Sequence, residues 1–412
     1  MSTAADLAPT AVRSVPVDLP GGLLDRLPLP EGVLAWVRDG EGLVGWGEAA
    51  RFRARGPARF TRARDWWRRL AASWSVEDEV EVPGSGPVAF GTFTFDDGPG
   101  DSVLVVPRVV LGRRGGTTWL TTVGDAPRPA TPTPADRPTG LRYAAGQTSV
   151  TAYRQAVQEA VGRIRRGALA KVVLAHDLVA TADAPIDPRF LLAGLAGRYP
   201  GCWTYAVDGL VGATPELLVS RHGEQVLSRV LAGTAARGAD PSDDRARVAA
   251  LLSSGKDREE HRYAVDSLTE VLAPHCADLT VPDSPYVLEL SNVAHLATDV
   301  TGRLADAACA LDLAGALHPT AAVGGTPTGA AVRLLRELEG MDRGRYAAPV
   351  GWVDARGDGE WGIALRCAQL DGASARLFAG CGIVAESDPD AEVLEAQAKF
   401  VPMRDALEGV GH

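Results

Sequence analysis

Two side chains stand where an acid and a base can be set against each other. Lys171 opens the run KVVLAHDLVAT, and Glu216 follows Pro215 in GATPELLVS. A lysine at the edge of an apolar strand can simply extend its ammonium to water. Beside a pocket, the same residue loses basicity by burial and becomes a general base. Glu216 likewise reads as a turn carboxylate in solvent or as an acid aimed into a cleft by the proline before it. A second group of residues suits an anion. Arg366 interrupts the apolar run IALRCA, and a charge there must be paired or must face a site. Tyr346, in DRGRYAAPVGW, can add a hydroxyl to the same anion. The turn AGCGIV offers the backbone N–H groups of Gly380, Cys381 and Gly382, where small residues let a carboxylate approach. A third group suits a hard cation. Glu392 and Glu395 share one helical face, with Lys399 four residues beyond Glu395. They read as a surface ion pair, or Glu395 joins the distant Glu260 of KDREEHRYAVD in holding Mg²⁺ through oxygen ligands and waters.

The elements that must carry these residues are legible from periodicity. Residues 148–169 have Ser/Thr caps and apolar residues at helical spacing, with Gly167 to end the helix. Residues 171–181 form a strand, and 188–200 a helix closed by proline. Residues 202–221 form paired strands around an Asp-Gly turn, and 243–276 form one or two helices. Earlier in the chain, VAFGTFTFD and SVLVVPRVVL read as strands, and residues 60–74 as an amphipathic helix whose tryptophans pack inward. The proline-rich stretch 124–140 is a loop or linker and the best candidate for a boundary. Strands and helices intermix without regular alternation, which disfavours a parallel doubly wound sheet. The Gly40, Gly42, Gly45 pattern sits in a DGEG hairpin turn and is not followed by a helix start, so it does not read as a dinucleotide site.

The totals narrow the class. The chain of 412 residues carries 52 acidic and 42 basic residues, a formal charge of -10. That excludes a general nucleic-acid binder, while an anionic small substrate stays compatible through a locally positive pocket. Five cysteines without CxxC spacing indicate buried thiols in a reducing compartment. Residues 1–20 lack an apolar signal core and read as a disordered lead, and no run reaches membrane-span length. A cytoplasmic protein without a membrane partner is expected.

Taken together, KVVLAH, ATPELLVS, LAGTAARG, KDREEHRYAVDSL, AHLATDVTGRL, LHPTAAVGGTP, DRGRYAAPVGWVD, ALRCA and AGCGIVAESDP resemble the chorismate-utilising enzymes, and among them the isochorismate synthases. The pieces come in family order over residues 148–405. Residues 21–140 are similar more loosely, chiefly through FGTFTFD. The resemblance implies an α+β fold: one catalytic domain over 21–412, with four α/β/β/α layers enclosing two packed antiparallel sheets. It implies Mg²⁺-dependent conversion of chorismate to isochorismate, for menaquinone or catecholate siderophores. Lys171 matches the lysine that activates water toward C2, and Glu216 the acid that protonates the leaving C4 hydroxyl. Glu260 and Glu395 match the Mg²⁺ ligands. Arg366, Tyr346, Lys399 and the Gly380–Gly382 amides match groups that bind the substrate's carboxylates, and His295 lies in a motif bordering the ring. The chain departs from the pattern at His176, where an arginine is common, at Ala235 and Ala236, which replace Arg-Pro, and at Gly324, often cysteine. Salicylate synthase and the ammonia-using anthranilate and aminodeoxychorismate synthases are the rivals, with a non-catalytic chorismate-binding protein as a reading from another class. The LLES-like segment typical of the ammonia users is not found, so no glutamine amidotransferase subunit is expected. A monomer or weak homodimer is compatible with the family.

Overall fold

A computed structural model describes residues 10–98, 100–125, 131–237, 240–289 and 293–410, without the side chains at positions 236, 256, 257 and 260. The described residues form two large sheets, of thirteen and ten strands, with eight α-helices. The described pairings are antiparallel except for that between Ala11–Pro16 and Ser75–Asp78. One continuous apolar core runs between the two sheets. Trp36, on the larger sheet, donates from Nε1 to Glu360 Oε2 on the smaller at 2.9 Å. Helices Val150–Arg165, Pro188–Arg198 and Pro389–Glu408 cover the larger sheet, and Arg59–Ala72, Gly255–Leu272 and Ala310–Leu317 cover the smaller. This is the four-layer α+β arrangement that the resemblance implies.

Local chemistry sets the element ends. The Ser149 side chain caps helix Val150–Arg165 by accepting from Ala152 N, and Gly167 takes φ +80° just beyond it. Asp187 and Pro188 start the next helix in the same way. Asp39-Gly40 and Asp208-Gly209 have positive φ at both turn positions, as two-residue hairpins require. The glycine pattern at 40–45 is therefore a hairpin between Leu34–Arg38 and Glu41–Trp46. The stretch expected to hold one or two helices holds two, Pro241–Ser253 and Gly255–Leu272.

Two expectations change. Residues 11–16, placed above in a disordered lead, form a strand between Thr117–Val123 and Ser75–Asp78. Val12 is buried there and Ser14 Oγ bonds Thr121 Oγ1, so a short alternating segment is ordered by partners far along the chain. The stretch 124–140, taken as the best boundary, joins two strands of the same thirteen-stranded sheet, Thr117–Val123 and Arg142–Ala145. None of the described helices is long and apolar enough to cross a membrane.

A buried ion pair braces the strand that begins with Lys171. Arg343 donates to Glu339 Oε2 at 2.9 Å, to Val323 O at 2.9 Å and to Val173 O at 2.7 Å. Ala175 N–H donates to Glu339 Oε1 at 2.8 Å. Both side chains are almost fully buried. Removing one partner strands a charge in the core, which costs on the order of 3–5 kcal/mol. Arg343→Met should therefore lower the urea midpoint sharply, and adding Glu339→Gln should recover part of the loss. A single variant as stable as the parent would contradict this bracing role.

Candidate active site

Two of the chain's crossings between the sheets lie side by side, and each presents a site residue. Thr214-Pro215-Glu216-Leu217 leads from the larger sheet to the smaller. Residues 363–367 lead back, from Gly359–Ile363 to Cys367–Asp371. Two backbone hydrogen bonds lace the crossings together, Ile363 N–H to Glu216 O at 3.1 Å and Ala213 N–H to Arg366 O at 3.2 Å. Gly362 permits this proximity, since a Cβ there would lie 2.8 Å from the Trp36 ring and 3.0 Å from Glu216 O. Arg366 takes φ +47°, a left-handed conformation that side chains avoid and that marks a constrained turn.

The crossings open onto a cavity of about 330 Å³. Lys171, Glu216, His295, Tyr346, Arg366, Gly380, Gly382, Glu395 and Lys399 all border it. Residues more than two hundred positions apart thus meet as the sequence led one to expect. Strand Lys171–Thr181 pairs with Ser374–Ile383 over ten residue pairs, which puts Val173 beside Gly382 and Ala175 beside Gly380. Strand Cys367–Asp371 pairs with Ser374–Ile383 only up to Leu377, so the edge beyond is free of that partner. A Cβ at Gly380 would come 2.6 Å from Leu174 O, which explains the glycine. Cys381 pairs with Leu174, one step out of phase with the two glycines, so its side chain points to the opposite face of the sheet. Its Sγ lies 3.6 Å from Lys399 Nζ.

The electrostatics divide the cavity by function. Glu216 is buried at 7% exposure, and its pKa is pushed up to about 8. Burial is the main cause, and the charges of Lys171 and Arg366 pull the value partly back. Glu216 is therefore a neutral acid at pH 7. The Arg366 side chain makes no hydrogen bond or ion pair among the described residues, and so presents its charge to the cavity. Tyr346 is buried and stacked on Phe378 at 5.2 Å, and burial raises its pKa, so it offers a neutral hydroxyl. Lys399 donates to Gly380 O at 2.9 Å and pairs with Glu395 at 2.6 Å. Burial opposes its charge, but its pKa is raised, with the Glu395 carboxylate beside it favouring the ammonium. Glu395 is held below the usual carboxylate range, since Lys399 overcomes the effect of burial.

The residues able to hold a cation sit at one end. Glu392, Glu395 and Cys381 each bring one ligand atom within 4.8 Å of the others. Glu392 Oε2 is buried without a hydrogen-bond partner among the described residues. Carboxylate oxygens suit Mg²⁺, whereas burial keeps the Cys381 thiol protonated and unsuited to it. The Glu260 side chain lies outside the described residues, and its position falls on helix Gly255–Leu272. The sequence reading paired Glu392 with Glu395 on one face but gave it no place in the site. The Leu231–Thr234 stretch, which also lines the cavity, was visible only as part of a motif.

The family profile described as chorismate binding enzyme matches residues 35–408. The chain belongs to this family. Among other members, a Mycobacterium tuberculosis protein provisionally named isochorismate synthase MenF is 44% identical over 342 residues, 79% of this chain and 87% of its own length. Isochorismate synthase MenF of Bacillus subtilis is 33% identical over 410 residues, 89% and 85% of the two chains. A solved structure provisionally described as the 2,3-dihydroxybenzoate-specific isochorismate synthase DhbC of Bacillus anthracis superimposes with TM-score 0.79 at 32% identity. It covers 93% of this chain and 98% of that one. Anthranilate synthase component I from Streptococcus pneumoniae, at 22% identity and TM-score 0.70, shares the fold. A chorismate binding enzyme must take up a dianion, and the unpaired Arg366 and the charged Lys399 fit that demand.

The raised pKa of Glu216 carries a stability signature. Unfolded, this carboxyl titrates near 4.5; folded, near 8. Between those values the folded chain keeps a proton that the unfolded chain has lost, so stability falls as pH rises, by up to about 1.4 kcal/mol per pH unit. Below 4.5 both states are protonated and the effect vanishes. Denaturant titrations from pH 5 to 8 should show the parent losing ground steadily to Glu216→Gln. Parallel pH profiles for the two proteins would show that the carboxyl titrates alike in both states.

Proposed function

We propose that this protein is an isomerase that converts chorismate to isochorismate. The observation that carries the reading is one buried cavity holding a protonated carboxyl, Glu216, together with Lys171. Water adds at C2 of the ring, the ring double bond shifts, and the C4 hydroxyl leaves. Lys171 takes a proton from the incoming water as its oxygen bonds to C2. Glu216 gives its proton to the C4 oxygen as that C–O bond breaks, so the hydroxyl departs as water. The net change moves a hydroxyl and leaves composition unchanged. Acid and base each contribute on the order of 10²–10⁴-fold. The relatives named as isochorismate synthases, aligned over most of the chain, support this assignment.

Arg366, Lys399, Tyr346 and the Gly380 and Gly382 backbone would hold the two substrate carboxylates, replacing their hydration with fixed donors. Glu395 with Glu260 would hold Mg²⁺, and Glu392 stands beside Glu395. When bound, the ion neutralises a carboxylate and orients the ring.

Chromatography of the products from chorismate and Mg²⁺ tests the assignment. Isochorismate is expected; salicylate, or anthranilate when ammonia is supplied, would overturn it. Lys171→Ala should lower kcat about 10²–10⁴-fold. The parent kcat/KM should fall on the alkaline side around pH 8 as Glu216 loses its proton. Glu395→Gln should raise the Mg²⁺ concentration for half-activity at least about tenfold. An unchanged requirement would remove Glu395 from the metal site.

A further inference from the structure

Cys381 differs in kind from the other groups at the cation end of the cavity. Its Sγ and one oxygen each of Glu392 and Glu395 form a group of three metal-ligating atoms, all within 4.8 Å of one another. The pair assigned above to Mg²⁺, Glu395 with Glu260, offers oxygen alone. Cys381 adds sulfur, which a hard cation avoids and a thiophilic one prefers. Cys381 is 1% exposed, and its Sγ meets Glu392 O at 3.5 Å and Lys399 Nζ at 3.6 Å. Glu392 Oε2 is buried with no hydrogen-bond partner among the described residues, so a second atom of the group is left to a cation.

Geometry and charge favour one class of ion. Zinc bonds of about 2.0–2.3 Å to oxygen and sulfur set tetrahedral ligand atoms roughly 3.5 Å apart. The three atoms therefore need to close by at most about 1.3 Å, which rotation of two glutamate side chains supplies. Lys399 is held by Gly380 O with its ammonium against the sulfur, where it stabilises a thiolate. An ion bound through that thiolate leaves the site one positive charge poorer than an ion bound through carboxylates alone. Such a site holds a dianion less well.

We infer that Cys381, Glu392 and Glu395 form a site for a thiophilic divalent cation of the zinc class, which excludes Mg²⁺ from Glu395. Coordination replaces the S–H bond of Cys381 with an S–metal bond, and the proton leaves to solvent. The ion competes with Mg²⁺ and lowers the affinity for chorismate. The three ligands stand whichever product the cavity makes; the competition rests on the reading of Glu395 given above. Cys381 thus makes the cation end of the cavity sensitive to which divalent metal reaches it.

Cobalt(II), standing in for zinc, reads the ligands directly. Added to the metal-free full-length protein, it should give a near-ultraviolet thiolate-to-cobalt band and the intense visible bands of a four-coordinate ion. The thiolate band should vanish in Cys381→Ala and in Cys381→Ser, which keeps the size and removes the sulfur. Glu392→Gln should keep that band at lower affinity. Zn²⁺ affinity, measured by competition with Co²⁺, should fall at least about tenfold in Cys381→Ala, with Mg²⁺ affinity nearly unchanged. A thiolate band of parental strength in both Cys381 variants would assign it to another of the five cysteines and overturn the proposal. Weak octahedral absorption in the parent, or equal losses of Zn²⁺ and Mg²⁺ affinity in the variants, would overturn it too. Chromatography of the product formed with Mg²⁺ is a separate readout: an absence of isochorismate sinks the isomerase reading and leaves the cobalt result standing.

Discussion

Two backbone hydrogen bonds, Ile363 N–H to Glu216 O and Ala213 N–H to Arg366 O, tie together two of the places where the chain leaves one sheet for the other. Everything at the site depends on that lacing. A strand interior can present a side chain only to a sheet face. A crossing can present one to the gap between layers, where a small molecule fits. The fold pays for this with tight packing: a left-handed arginine at 366 and a glycine at 362 that tolerates no Cβ. The opposite wall is built separately, from the ladder that joins Lys171–Thr181 to Ser374–Ile383 and from the Arg343–Glu339 pair behind it. Glu216 and Lys171 thus come from walls with independent support.

Charge balance in the cavity follows from this construction. Glu216 is deep enough that burial outweighs the nearby cations, so the acid stays neutral. Glu395 is half-exposed at the rim beside Lys399, and there the cation wins, so the carboxylate stays charged. Two glutamates of identical chemistry are thus held in opposite protonation states, Glu216 by burial and Glu395 by the ammonium of Lys399. The paired Glu395 and Lys399 balance each other's charge at the rim.

Much of this was legible in the sequence, for identifiable reasons. The alternation of KVVLAHDLVAT fixed a strand, Ser149 and Gly167 bounded a helix, and Asp208-Gly209 marked a hairpin. Arg366 declared itself because a charge in an apolar run needs a reason. What was hidden depended on distant partners. The strand Ala11–Pro16 is too short to show without Thr117–Val123 beside it. Residues 124–140 look like a boundary by composition, although the strands on either side share a sheet. The orientation of Cys381 toward helix Pro389–Glu408 follows from register with Leu174, which composition does not encode.

The central claim is that Glu216 enters the reaction as a carboxylic acid beside Lys171. Carbon-13 NMR of the glutamate side-chain carboxyls, with Glu216→Gln used to identify the resonance, measures this directly. The account predicts a midpoint near pH 8 in the folded protein, moving downward in Glu216's neighbourhood only if the surrounding burial is opened. A midpoint near the ordinary 4.5 would make Glu216 a carboxylate at neutral pH and contradict the account.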